Sequence, residues 1–451
     1  MSQEPQSFKS RLKESIKHNP IYTKAIRPLR VKLNALIEST LDDEAYFVRR
    51  HKKIFGYTPD FRNPKTFNEK IIHRILFDRS PVYTALADKL KARIYIAAKL
   101  YPLYENAIRG GAECKENAQE CKHSLDSSAQ STLSTQELST IQALAKINLL
   151  DPSSPLFAPI DTLGSTLLAT NICPYLPKLY GIYKSFDDID FASLPAAFAI
   201  KTNHDGGGVV LVPDKQEFLR DQARFEAARR KIQQHLATNF YTLFREWHYK
   251  DIEPRVFIEE LLGADSRESS TKTFENDDFH NKIAQPLESS PKSLESNADS
   301  SVDCHATAAA VSRNDSSLDS HPQPLESTSP YKAPDDYKFH CFGKRVFSET
   351  IIDRGSNTRC TFFDESWNPL EVKITYDFAQ RAIEKPSVLP LMLEISKRLF
   401  DDLGYLRCDF YLQGNRILHI GELTFTPGGG VLPISPREFD KTLGEFWEFA
   451  R

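Results

Sequence analysis

Asp409 and Glu422 are the pair of side chains whose types and spacing most directly suggest chemistry. They sit in Tyr405-Leu406-Arg407-Cys408-Asp409 and Gly421-Glu422-Leu423-Thr424. Between them, Gln413-Gly414-Asn415-Arg416 is a turn signal flanked by alternating apolar residues, which predicts a β-hairpin. With Gly414-Asn415 as a two-residue turn, Arg407 faces Glu422 and Asp409 faces Ile420, all on one side of the sheet. Asp409 and Glu422 are then diagonal neighbours, about 7 Å apart or less. Two carboxylates at roughly 6 Å repel by about 3 kcal/mol at an effective dielectric of 20. A cation between them relieves that repulsion. Hard oxygen donors with room for water suit Mg²⁺ carried by a nucleotide phosphate. On spacing alone the same residues also fit a solvated hairpin.

Two further segments carry chemistry. Phe198-Ala199-Ile200-Lys201-Thr202-Asn203-His204-Asp205-Gly206-Gly207-Gly208-Val209-Val210-Leu211-Val212 is a glycine-rich turn between two β-rich runs. Glycines let backbone amides close around phosphate oxygens. Strand alternation puts Lys201 on the face opposite Phe198 and Ile200, where its ammonium meets the same anion. The segment is strand–loop–strand, and no Walker A sequence occurs in the chain. Read alone, it is more commonly an ordinary turn. Arg255-Val256-Phe257-Ile258-Glu259-Glu260-Leu261-Leu262 runs an apolar strand into two acids. Such an end offers backbone donors and acceptors to an adenine edge and an acid to ribose hydroxyls. It also fits a strand that ends in solvated glutamates.

The 451 residues have room for a large core and two or three domains. The 58 Lys+Arg against 61 Asp+Glu argue against a nucleic-acid partner, which selects a basic surface. Seven scattered cysteines (Cys114, Cys121, Cys173, Cys304, Cys341, Cys360 and Cys408) have no paired zinc spacing and suit a reducing compartment. No signal-peptide pattern and no apolar run of membrane-spanning length is present.

Composition divides the chain. Residues 1–54 form a basic helical segment, and its weakly amphipathic part, 1–50, fits either peripheral contact with an anionic membrane or a solvated helical pair. Residues 55–104 and 172–197 read as a globular N-terminal region interrupted by a Ser/Thr/Ala-rich, low-complexity insertion at 105–171. Residues 198–263 and 334–451 carry the three chemical segments. Between them, 264–333 is a Ser/Asp-rich insertion in which Gln285-Pro286-Leu287-Glu288-Ser289 recurs at Gln323-Pro324-Leu325-Glu326-Ser327. It has too little apolar surface to offset its ordering entropy and is expected to be disordered.

Lysine and glycine loop, then a Glu-Glu strand, then a carboxylate hairpin is the order of the ATP-grasp superfamily. The resemblance tightens over about 300 residues. Asn63-Pro64-Lys65-Thr66-Phe67-Asn68-Glu69-Lys70, Ala87-Asp88-Lys89, Arg93, Phe186-Asp187-Asp188-Ile189-Asp190-Phe191, Arg245-Glu246-Trp247-His248-Tyr249-Lys250 and Gly421-Glu422-Leu423-Thr424-Phe425-Thr426-Pro427 together resemble the TupA-like ATP-grasp proteins of bacterial cell-surface polymer and polysaccharide biosynthesis. The resemblance implies an α+β, ATP-grasp fold: two α+β subdomains clasping ATP between antiparallel sheets, with the N-terminal helical segment and the two insertions added. It implies that Lys89 and Lys201 bind phosphate, and that Gly206, Gly207 and Gly208 close over the triphosphate with His204 beside them. Glu259, Glu260 and Leu262 then fall at the adenine and ribose hinge, and Lys338 lines the same cleft. Asp409, Glu422 and Thr424 fall at the Mg²⁺ positions, with Thr424 where the superfamily usually has asparagine. Arg407 and Lys201 stabilise the transferring phosphoryl group. The implied reaction is ATP-dependent joining of a small-molecule or glycan carboxylate to an amine through an acyl phosphate. The implied location is cytoplasmic, at the inner face of the plasma membrane if residues 1–50 bind lipid.

Two other classes stay open. Some similar proteins are catalogued as glycosyltransferases, and Asp188-Ile189-Asp190 imitates their metal-binding Asp-x-Asp, though its context reads as a capped turn. A non-catalytic nucleotide-binding protein would be expected to lose the lysines or carboxylates that are present here.

Overall fold

The computed structural model describes residues 27–113, 135–263, 331, 333–354, 358–401, 403–413 and 417–448. The polypeptide forms two compact units. In the first, α1 (Arg27–Ser39) is followed by α2 (Asp43–Phe55). Asp42 caps α2 by accepting from Ala45 N at 2.7 Å, and Gly56 ends it in the left-handed conformation (φ 80°). Residues 1–26, about half of the segment 1–50 read as either a membrane contact or a solvated helical pair, lie outside the described residues. No described helix is long and apolar enough to cross a membrane.

The second unit begins with α3 (Phe67–Phe77), α4 (Pro81–Ala87) and α5 (Lys89–Glu113). The Asn63–Lys70 motif is a helix start. Thr66 and Glu69 form a capping box, and Glu69 also accepts from Lys65 N at 2.7 Å. From α3, the buried Arg74 donates to the carbonyls of Leu403, Tyr405 and Phe425, and its guanidinium lies 4.5 Å and 4.4 Å from the Tyr83 and Trp447 rings. This one side chain ties α3 to the residues just before β10 and just after β11, the open end of the carboxylate hairpin.

The stretch 105–171 is not one low-complexity insertion. The helix α5 continues to Glu113, and α6 (Thr135–Leu144) and α7 (Gly164–Ala169) follow, with two short 3₁₀ turns between them. Ile141, Leu149, Leu156, Ile160 and Leu167 are buried in the main core with Ile94, Leu100 and Tyr104 of α5. The apolar residues that enter the core are separated by Ser, Thr and Pro, so the stretch has no long period to read. Residues 114–134 lie outside the described residues, as do 264–330 and 332 of the expected Ser/Asp-rich disordered insertion.

Strand β1 (Leu179–Tyr183) is next, and it joins β2 (Phe198–Thr202), β3 (Val209–Val212) and β4 (Val256–Glu259) in an antiparallel sheet of order β1-β4-β2-β3. The 172–197 region therefore supplies an edge strand to the glycine-loop sheet. Helices α8 (Lys215–Arg220), α9 (Gln222–Leu236) and α10 (Phe240–Phe244) follow β3. Phe198, Ile200, Val256 and Ile258 face a core that includes Phe218 and Ile232 of α8 and α9. That burial fixes the strand parity and turns Lys201 to the other face.

The second sheet takes β5 (Asp336–Phe342), β6 (Arg345–Ile352), β7 (Arg359–Phe363), β8 (Pro369–Leu370) and β9 (Asp377–Phe378). After α11 (Leu389–Phe400) come β10 (Leu406–Gln413) and β11 (Ile417–Thr424). The order is β11-β10-β5-β6-β7-β8, with β9 parallel to β7. The apolar stripe Leu391, Met392, Ile395 and Leu399 of α11 packs against β5 and β10. Asp401 takes the left-handed cap (φ 38°), and Gly404 (φ 72°) turns the chain into β10. Helix α12 (Arg437–Phe446) closes the described chain. Antiparallel sheets with helices segregated around them are the expected α+β class.

Candidate functional site

The hairpin forms with a different register. Gln413 pairs with Ile417, so three residues rather than two separate the paired ends, and the Gly414-Asn415 turn lies outside the described residues. A bulge then shifts the ladder again between Asp409 and Phe410, leaving Gly421 as the extra residue. A Cβ at Gly421 would overlap the Tyr411 ring, so glycine is required there. As a result Asp409 stands directly opposite Glu422, Arg407 opposite Thr424, and Ile420 opposite Phe410 in the core. The expected diagonal relation becomes a direct one.

The ladder extends this into a row of charges. Glu349, Lys338, Asp409 and Glu422 are successive partners across β6, β5, β10 and β11. Asp409 is 3% exposed. It accepts from Arg407 Nε at 2.6 Å and Arg407 Nη2 at 2.7 Å, and from Lys338 Nζ at 2.9 Å. Burial alone would raise its pKa, but the Arg407 and Lys338 charges overcome this and hold it at about 2. Both cations are pushed up by the same carboxylate against their own desolvation. Arg407 Nη2 also donates to Thr424 Oγ1 at 3.1 Å, and Lys338 Nζ to Asp336 Oδ2 at 2.7 Å. Glu422 is half-buried and has no hydrogen bond or ion pair among the described residues.

The opposite wall comes from β2 and β4. Lys201 Nζ lies 2.5 Å from Glu259 Oε1, and Arg93 Nη1 of α5 lies 3.3 Å from Glu259 Oε2. Burial pulls the Lys201 ammonium down, but Glu259, Tyr411 and Glu422 together raise it above its ordinary value. Lys201 thus feels both the hinge strand and the hairpin. Lys89 begins α5, its Nζ donating to the Asp205 carbonyl of the glycine loop and its N to Asn203 O at 3.0 Å. The loop is pinned at its base. Thr202 N donates to Gly208 O at 2.9 Å, while the Asp205 carboxylate takes Thr202 Oγ1 and His235 Nδ1. Gly206 and Gly207 form the exposed tip, with Gly207 at φ 90°.

Gly208 is buried beneath Thr202, and a Cβ there would overlap Thr202 Oγ1 and crowd Asp205 Oδ1. Gly208→Ala is expected to cost roughly 1–3 kcal/mol by displacing the loop base. A lowered urea midpoint at unchanged slope checks it. An unchanged midpoint would mean the loop shifts freely.

These walls meet in a narrow cleft lined by Lys89, Arg93, Lys201, Phe257, Glu259 and Glu422 with Leu86, Ile420 and Leu423. Three cations with an apolar floor suit a polyanion carrying a flat base. For a divalent metal, Glu422 is an open acceptor. Asp409 has about four lone-pair sites against its three donors. The set fits a Mg²⁺ that arrives with a nucleotide phosphate and keeps water ligands. No group of three His, Cys, Asp or Glu side chains stands ready to hold a resident metal among the described residues.

Several expected residues sit elsewhere or act differently. His204 is buried away from the loop tip, its Nε2 on the carbonyls of His235 and Thr238, so it braces α9 rather than meeting a phosphate. Glu259 is committed to Lys201 and Arg93 rather than standing open for a ribose. Glu260 is held by the Lys178 backbone, and the Leu262 carbonyl accepts from Tyr331 at 2.9 Å. Lys338, Arg407, Asp409 and Thr424 form the buried hairpin network behind Glu422 and do not themselves line the cavity. Of the Asp-x-Asp imitation, Asp188 closes a capping box with Ser185 and Asp190 accepts from Ala192 N. Two residues were missed. Arg93 was visible as a motif residue but not as the second cation on Glu259. Tyr411 leaves no sequence signal, because only the register places it beside Lys201.

The chain matches the TupA-like ATPgrasp family over residues 172–274 and 325–448, half its length, and belongs to that family. Membership carries an ATP-grasp-related, ATP-binding function. No characterised protein and no solved structure is similar enough to count as a match.

Proposed function

We propose that the protein is an ATP- and Mg²⁺-dependent carboxylate–amine ligase in the synthesis of a bacterial cell-surface polymer or polysaccharide, acting on the cytoplasmic side of the membrane. The observation that carries this is that Lys201 and Glu422 line one cleft from opposite sheets, with Lys89 at its end. The substrate carboxylate attacks the γ-phosphorus of ATP, ADP leaves, and an acyl phosphate forms. An amine then attacks the acyl carbon, phosphate leaves, and the amine proton passes to solvent. The obstacle is bringing a carboxylate to a triphosphate. Lys201 and Lys89, released from Glu259 and the Asp205 carbonyl, neutralise phosphate charge. Arg407, oriented by both Asp409 oxygens and near enough to Glu422 to feel its charge, would add positive charge behind the phosphoryl site. Glu422 and Asp409 would hold Mg²⁺, which supplies Lewis-acid stabilisation of the phosphoryl oxygens. The amide product and its substrates follow from the family resemblance.

Thermal shift with Mg-ATP and Mg-UDP-sugars tests the reading. ATP is expected to raise the melting temperature of the wild type and to have a much reduced effect on Glu422→Gln. Stabilisation by a UDP-sugar and none by ATP would overturn it. ADP release that requires both a carboxylate and an amine would then identify the reaction.

A further inference from the structure

Successive residues of the α4–α5 junction line two different cavities. Leu86, Ala87 and Lys89 face the cleft, whereas Thr84, Ala85, Asp88 and Lys91 face a second, larger groove of about 390 Å³. Its size is that of a site for a small ligand. Phe157 and Trp247 give it aromatic walls, and Arg79 holds its guanidinium 5.0 Å above the Trp247 ring. The charged residues are of both signs: Arg79 and Lys91 against Asp88, Asp251 and Glu253. The Lys91 ammonium makes no close ion pair, though Asp88 and Glu253 lie near enough to oppose the lowering of its pKa by burial, and Asp251 has no side-chain partner among the described residues. Glu253 is partly taken by Arg255 at 2.5 Å, and Asp88 by Leu90 N and Asn203 Nδ2, both at 2.9 Å.

We propose that this groove is a second binding site, separate from the cleft, for a zwitterionic small molecule: an amino acid or an amino-sugar acid. A purely anionic ligand would meet the three carboxylates, and a purely cationic one would meet Arg79 and Lys91. A ligand carrying both charges places its anion on Lys91 and Arg79 and its ammonium on Asp251, with its stem or ring against Trp247 and Phe157. The groove joins residues that precede the family match (79–91 and 157–160) to residues within it (247–253). It is therefore not confined to the shared region. Its floor is also bonded to the glycine loop: Asn203 Nδ2 donates to Asp88 and, at 3.1 Å, to Glu253 O.

The test uses Trp247, which is half-buried, whereas Trp367 and Trp447 are 8% and 0% exposed. Full-length protein is titrated, without nucleotide, with L-glutamate and glucosaminuronic acid as zwitterions, and with glucuronic acid and glucosamine as single-charge controls. A zwitterion is expected to give a saturable fluorescence change absent from Trp247→Phe. Binding should weaken at least about 10-fold in Lys91→Gln, since one charged hydrogen bond is worth roughly 1.5–3 kcal/mol. The single-charge sugars should bind at least about 10-fold more weakly, and saturating Mg-ATP should not displace the zwitterion. No saturable response up to about 10 mM, a range covering weak ligands, overturns the inference. So does equal binding of the single-charge sugars, an unweakened Lys91→Gln, or competition by Mg-ATP. Because the titration needs no nucleotide, failure of the ligase reading leaves this result standing.

Discussion

Asp409→Asn is expected to destabilise the second unit by about 3–5 kcal/mol, the range for removing one partner of a buried charge pair. Asp409 is 3% exposed and carries Arg407 and Lys338 at once. Neutralising it leaves two buried cations facing each other without their shared anion. The effect also has a pH signature. The folded carboxyl has its pKa held at about 2, below about 3.9 for free aspartate. Its contribution is therefore fully in place above about pH 4 and is lost as pH falls through about 2. The size of that loss is about 2–3 kcal/mol. Urea midpoints measured from pH 7 down to the acid limit should show wild type approaching Asp409→Asn as pH falls through that window. Parallel curves separated by a constant offset, or an unchanged midpoint at pH 7, would show that Arg407 and Lys338 do not depend on this carboxylate.

What could be read from the sequence was local. The turn signal of the carboxylate hairpin, the glycine loop between β2 and β3 and the capped turn at Asp188 are each written within a few residues. Lys201 could be assigned to a face because Phe198 and Ile200 leave it no other. The hairpin was legible as a hairpin, but its register was not. One extra residue at the turn and one at Gly421 bring Glu422 opposite Asp409, and period-2 alternation carries no signal for either. The partners that decide the electrostatics come from far along the chain. Lys338 reaches Asp409 from β5, and Arg93 reaches Glu259 from α5. Sheet order places Lys338, and the packing of α5 against β4 places Arg93. The second groove shows the same limit, because its aromatic and charged walls come from three separated segments.

Lys201→Met is expected to weaken ATP binding by roughly 100-fold, equivalent to about 3 kcal/mol, the upper range for one charge-assisted hydrogen bond. The side chain stands between two demands. In the free protein Glu259 holds its ammonium at 2.5 Å, and the half-buried Glu422 across the cleft adds to the field that keeps it protonated. A triphosphate entering the cleft offers the same ammonium a stronger anion, and Arg93 remains to compensate Glu259. The loss in Lys201→Met has two sources, the missing phosphate contact and the broken ion pair, and Glu259→Gln separates them. Both substitutions break the Lys201–Glu259 pair, and both should lower the urea midpoint. Only Lys201→Met removes the cation from the phosphate. Isothermal titration with Mg-ATP should therefore find affinity lost in Lys201→Met and largely kept in Glu259→Gln. Equal losses would mean that the pair, rather than the ammonium, organises the cleft. Full affinity in Lys201→Met would place the phosphates away from β2 and transfer the electrostatic role to Lys89 and Arg93.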